Sequence, residues 1–187
     1  MVLQKNISLV IPIMHFLRLS LPSKTISTLL IFDRDGTLNQ DEGYSFRAED
    51  VELTSFANCI KPIFKDYYFA AAIASNQSGV ARAIYGMRDF DLFTKTLIEE
   101  IDPDHANFFL AVACPHLPRE NCECRKPRTA MLEAILTESR FNQVLMIGNS
   151  ESDRSASANA GIAYLDCNDM NACKILKDWV VSHCDRK

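Results

Sequence analysis

Five short runs, "TLLIF" (28–32), "YFAAAIAS" (68–75), "FFLAVA" (108–113), "QVLMIG" (143–148) and "IAYLD" (162–166), are apolar almost throughout. A strand with one wet face alternates apolar and polar residues, whereas a strand apolar at nearly every position is covered on both sides. Segments with helical spacing separate the runs. In "MRDFDLFTKTLIEEI" (87–101), Phe90, Phe93, Leu97 and Ile101 fall on one helix face. Further helices are predicted over 56–66, kinked or shortened by Pro62, over 128–139, opened by Pro127, over 152–161, closed by Gly161, and over 169–182. Strands and helices in strict alternation predict an α/β fold, a parallel sheet with helices on both faces. With 187 residues and no repeat or linker, one domain with a sizeable core is expected over 25–187, preceded by an N-terminal extension over 1–24.

That extension contains "ISLVIPIMHFLRLSL" (7–21), interrupted by Pro12, His15 and Arg18. No A-x-A-like cleavage site follows, and the run is too short to span a bilayer, so neither a cleaved leader nor a membrane anchor is favoured. The net charge of −4 argues against the broad basic face of a nucleic-acid binder, so an anionic ligand needs a local cluster of cations. Of seven cysteines, three lie within the eleven residues 114–124. An odd, clustered set is poor disulfide arithmetic and points to a metal site in a reducing compartment. A cytoplasmic monomer is expected.

Ligands of such sheets bind beyond the carboxyl ends of the strands, and four segments bring polar residues there. "IFDRDGTLN" places Asp33 and Asp35 after the first run. A carboxylate can attack phosphorus to form an aspartyl-phosphate, and a second one, two residues on, can protonate the leaving oxygen and then activate water. Such an anionic pair facing a phosphate calls for Mg²⁺. "SNQSG" ends the second run with Ser75 and Asn76, small donors suited to phosphate oxygens. "CRKPR" concentrates Arg125, Lys126 and Arg128 in an acidic chain, and a lysine there would offset crowded negative charge. "GNSESD" adds Asn149 and Asp153, which suit either a Mg²⁺ site or a helix N-terminus capped by Ser150. Taken alone, "DRDG" and "SNQSG" read first as an ordinary turn and loop, "CRKPR" reads as readily as a solvated basic turn, and both readings of "GNSESD" can hold together. "CPHLPRENCEC" is more specific: Cys114, His116, Cys122 and Cys124 have the donor set of a closed, structural Zn²⁺ site.

Taken in order, "DRDGTLN", "DEGY", "SNQSGVAR", "CRKPR-x-x-ML" and "GNSESD" resemble the haloacid dehalogenase superfamily of phosphatases over roughly residues 28–166. Within it the chain resembles the zinc-containing branch of heptose-bisphosphate phosphatases and histidinol-phosphatases. The resemblance implies a Rossmann-like, haloacid dehalogenase-like fold with a zinc-binding loop and no large cap domain. It implies Asp33 as nucleophile and Mg²⁺ ligand, and Asp35 as acid/base with its carbonyl on Mg²⁺. Ser75 and Lys126 would bind the transferring phosphoryl group, Asn76 and Arg125 the substrate, Asn149 and Asp153 the Mg²⁺, and the Cys₃His loop the Zn²⁺. The implied substrate is a small sugar phosphate ester, heptose 1,7-bisphosphate first and histidinol phosphate as the alternative. One position departs from the pattern. The family usually has G-D where this chain has Gly148-Asn149, and an amide there lacks the carboxylate's charge. A weakened Mg²⁺ site, or a non-catalytic relative, follows as a third reading.

Overall fold

A computed structural model describes residues 14–19, 26–41 and 43–187. Residues 1–13 and 20–24 of the expected extension, and Glu42 of "DEGY", lie outside the described residues. Strand β2 (Thr28–Phe32) shows how the sequence builds the layers: Leu30 and Phe32 enter one core, and Leu29 and Ile31 the other. Strands β4 (Ala70–Asn76), β5 (Phe108–Cys114), β6 (Gln143–Gly148) and β7 (Ala163–Asp166) extend the sheet in the order β5-β4-β2-β6-β7, all parallel. Helices α1 (Ser55–Asp66), α2 (Met87–Ile101) and α5 (Ala172–His183) cover one face. Helices α3 (Ala130–Leu136) and α4 (Glu151–Asn159) cover the other. This is the expected three-layer α/β fold.

The departures have local causes. Helix α1 runs through Pro62, which sits on its exposed side. Helix α3 ends three residues earlier than predicted, at Leu136. Strand β1 (His15–Arg18), inside the stretch read as an extension, pairs antiparallel with β5 from His15↔Ala113 to Arg18↔Leu110, so the sheet is mixed rather than purely parallel. Leu17 turns into the core, and His15 Nε2 lies 2.6 Å from Asp91 Oδ1 of α2. The predicted strand from Tyr68 is also divided. Strand β3 (Tyr67–Tyr68) pairs with β8 (Asp185–Arg186), and β4 begins at Ala70. Cys59 of α1 and Cys173 of α5 form a disulfide, against the expectation of free thiols outside the metal loop. Among the described residues no helix is long and apolar enough to cross a membrane.

Candidate active site

The carboxyl ends of β2, β4 and β6 meet at a buried lysine. Lys126 Nζ donates to Asp33 Oδ1 at 2.7 Å and to the Ala74 carbonyl at 2.6 Å. Asp153 Oδ1 lies 2.5 Å away, an ion pair without hydrogen-bond alignment. All three side chains are nearly shut off from solvent, Asp153 completely. Burial pulls the Lys126 ammonium down, but Asp33 and Asp153 outweigh it and the net direction is up. Burial pushes Asp33 up to about 7, against the pull of Lys126 and with the push of Asp153 and Asp35. One ammonium shared by two carboxylates leaves the pocket short of positive charge, which is the electrostatic fit for a divalent cation.

Asp153, expected at the metal, lies against the Lys126 ammonium and the first turn of α4. Its Oδ2 accepts from Ser150 N at 3.1 Å and Ser150 Oγ at 2.6 Å, closing the first turn of α4. A Cβ on Gly148 would stand 2.6 Å from Asp153 Cβ, Cγ and Oδ2, so only glycine lets the carboxylate come this close. Gly148→Ala is therefore expected to lose about 2–3 kcal/mol of stability through overpacking and a disturbed buried ion pair, measured by urea denaturation. Asn149 lies over the turn that follows Asp33. Gly36 adopts φ +78° there, and a Cβ on it would meet Asn149 Nδ2 at 2.1 Å. The "DRDGT" turn and the "GN" turn are thus in contact, as a shared metal site requires.

Asn76, expected to touch substrate, bonds at both ends of its amide to the backbone beside the lysine. Its Oδ1 accepts from Lys126 N at 3.0 Å and its Nδ2 donates to Lys126 O at 3.2 Å. Arg125, the other expected substrate contact, donates from Nη1 to His116 O at 3.3 Å and is only half-buried. Ser75 is buried on β4, with its Oγ accepting from Gln77 Nε2 at 2.6 Å.

Three residues that sequence reasoning did not single out surround Asp35. Arg34, 1% exposed, forks onto it: Nε donates to Oδ1 at 2.8 Å and Nη2 to Oδ2 at 2.9 Å. The Arg34 guanidinium lies over the Phe93 and Phe90 rings at 4.6 and 5.2 Å, which accounts for a cation at this depth. Gln77 Nε2 donates to Asp35 Oδ2 at 2.7 Å, and its Oε1 accepts from Tyr85 Oη at 2.5 Å. Burial pushes Tyr85 up to about 12, so its hydroxyl keeps the proton it donates. The only sequence signal was Gln77 inside "SNQSG" and Arg34 between the two aspartates.

The zinc-type loop follows β5. Cys114 Sγ lies 3.5 Å from Cys122 Sγ and 3.2 Å from Cys124 Sγ, and His116 Nδ1 lies 3.5 and 3.2 Å from Cys114 and Cys124 Sγ. The four donors lie within 4.8 Å of one another. Tetrahedral zinc with bonds of about 2.0–2.3 Å separates its donors by roughly 3.3–3.8 Å, so the residues fit the ion.

No protein-family profile matches the chain. It is 34% identical over 136 residues, 71% of its length, to a D-glycero-beta-D-manno-heptose-1,7-bisphosphate 7-phosphatase of Helicobacter pylori, covering 79% of that protein. It is 35% identical over 140 residues, 73% of its length, to a D-glycero-alpha-D-manno-heptose-1,7-bisphosphate 7-phosphatase of Campylobacter jejuni, again covering 79%. Histidine biosynthesis bifunctional protein HisB of Campylobacter jejuni is 30% identical over 139 residues, 72% of this chain, which spans 40% of that longer protein. Among solved structures, a putative HAD-like phosphatase of Mesorhizobium loti superposes with a TM-score of 0.74 over 95% of this chain and 97% of its own, at 20% identity, and shows the fold. A D,D-heptose 1,7-bisphosphate phosphatase of B. bronchiseptica, solved with magnesium and phosphate, gives 0.61 at 26% identity over 73% of this chain and 78% of its own. With its buried Asp33–Lys126–Asp153 cluster and its Cys₃His loop, the chain belongs to the heptose-1,7-bisphosphate 7-phosphatase family of haloacid dehalogenase-like phosphatases.

Proposed function

We propose that the chain hydrolyses the 7-phosphate of a heptose 1,7-bisphosphate through an aspartyl-phosphate on Asp33. The observation that carries the reading is Asp33 at the end of β2, held by a Lys126 that Asp153 supports from behind. In this reading an Asp33 oxygen attacks phosphorus as the ester P–O bond breaks, and Asp35 gives its proton to the departing sugar oxygen. Asp35 then takes a proton from water, whose oxygen attacks the phosphorus and returns Asp33 as a carboxylate with release of phosphate. Lys126 and Ser75 hold the phosphoryl oxygens. Asp33, the Asp35 carbonyl and Asn149 would hold Mg²⁺, which supplies charge neutralisation between carboxylate and phosphate.

The test is phosphate release with Mg²⁺ from heptose 1,7-bisphosphate, histidinol phosphate and simple alkyl phosphates. Preference for the heptose ester supports the reading. Preference for histidinol phosphate supports the rival, which the match to HisB favours. No release from any ester overturns both and leaves the non-catalytic relative.

The amide at position 149 gives a graded prediction. Asn149→Asp is expected to lower the half-saturating Mg²⁺ concentration by about 10- to 100-fold, the scale of the 1–3 kcal/mol of a charged contact. Mg²⁺ titrations of rate for both proteins check it, and superimposed curves would remove Asn149 from the metal site.

A further inference from the structure

We infer that Gln77 is a positioning residue that fixes which oxygen of Asp35 carries the transferred proton and ties that oxygen to the phosphate-binding Ser75. The inference rests on the phosphatase reading above and adds a residue to which that reading gives no role.

Gln77 is 1% exposed and all four of its amide hydrogen-bonding positions are filled. Its Nε2 donates to Asp35 Oδ2 at 2.7 Å and to Ser75 Oγ at 2.6 Å. Its Oε1 accepts from Tyr85 Oη at 2.5 Å and from Arg34 Nη2 at 3.1 Å. The reverse amide orientation would set Oε1 against a carboxylate oxygen and Nε2 against a guanidinium, so the neighbours admit one orientation only. Two side chains proposed to work on the same phosphate ester, the acid/base and a phosphate donor, therefore hang from one amide nitrogen.

The consequence for Asp35 follows from its acceptor count. A carboxylate offers about four lone-pair positions, two on each oxygen. Arg34 Nη2 and Gln77 Nε2 both donate to Oδ2, whereas Oδ1 receives only Arg34 Nε. Oδ2 is saturated, and the position left for a proton is on Oδ1. The Asp35 side chain keeps 22% exposure, so a face of it remains open for a leaving oxygen or a water. Without Gln77 both oxygens could carry the proton, and one of the two would be misdirected.

Tyr85 sets the amide, and its own place is built. A Cβ on Gly79 would lie 2.2 Å from the Tyr85 ring, so the glycine makes room for it. Phe46 stacks on the Tyr85 ring at 5.3 Å and 14°. The positioning chain thus reaches the loop after Gly43, where Ser45 O accepts from Arg34 Nη2 at 3.0 Å.

The readout is leaving-group dependence. Alkoxide is a poor leaving group and needs the Asp35 proton, whereas p-nitrophenolate leaves without it. With Mg²⁺ present, Gln77→Met is expected to lower kcat/KM for an alkyl phosphate by about 100-fold, the lower end of a general-acid contribution, and for p-nitrophenyl phosphate by only a few-fold, through Ser75. Tyr85→Phe keeps the ring and removes only the donor that orients the amide. It should shift the ratio of the two esters in the same direction by a smaller factor, and it decides the matter if Gln77→Met does not fold. Equal losses on both esters would overturn the inference while leaving the phosphatase reading intact. A wild-type protein that releases phosphate neither from these two esters nor from heptose 1,7-bisphosphate would overturn the two together.

Discussion

Asp33→Asn is expected to reduce phosphate release by about 10⁴-fold or more, the scale of removing a covalent nucleophile. The amide has nearly the same shape, but it is a poor nucleophile toward phosphorus. The substitution also removes one of the two carboxylates that share Lys126, and Asp153 alone still neutralises the ammonium. The fold should therefore survive, with a melting temperature no lower than wild type. Initial rates and a thermal melt on the same preparation check both halves. Near-wild-type turnover in Asp33→Asn would remove Asp33 from the chemistry.

Loss of the loop metal is the second large effect. Cys122→Ser leaves two thiolates and an imidazole, and metal binding in such a loop is in part folding energy. A loss of about 4 kcal/mol corresponds to a melting temperature lower by roughly 8–16 °C in a domain of this size. Activity should fall with it, because the loop and the active site are one piece of chain. Cys124 is followed by Arg125, which bonds back to His116 O, and then by Lys126, which holds Asp33. A ligand set that opens lets Lys126 drift from β2. Elemental analysis, a melt and a rate for wild type and Cys122→Ser check this, with one zinc per wild-type chain expected. Wild-type protein purified without chelator that contained no zinc would contradict it.

The sheet was legible because its strands announce themselves. "FFLAVA" is apolar at every position and "TLLIF" at all but its first, and only a doubly covered sheet hides them. The edge strand β1 was not legible. "HFLR" is short, sits after Pro12 in a run that reads as an extension, and gains its identity only by pairing with β5, almost a hundred residues away. The Cys59–Cys173 bond was hidden in the same way, since the packing of α5 against α1 brings the two together and no local spacing does.

At the site, residue types were legible and their partners were not. Asp33 and Lys126 were picked out by position, and the structure brings them to 2.7 Å. Asn76 and Asp153 were also picked out, but as contacts for substrate and metal, because small amides and acids at strand ends suit those ligands. In the fold Asn76 bonds the Lys126 backbone, while Asp153 accepts from Ser150 and faces the Lys126 ammonium. Arg34 and Gln77 were passed over because a charged and a polar residue in a turn read as solvent-facing. Their burial depends on Phe90, Phe93 and Tyr85, which arrive from a different part of the chain.

The central claim is a phosphoryl group carried on Asp33. Rapid acid quench of the enzyme mixed with ³²P-labelled substrate and Mg²⁺ tests it most directly. The expected result is protein-bound label that hydroxylamine removes, that maps to the peptide containing Asp33 and that is absent from Asp33→Asn. Phosphate release with no protein-bound label, or label that persists in Asp33→Asn, would contradict the account.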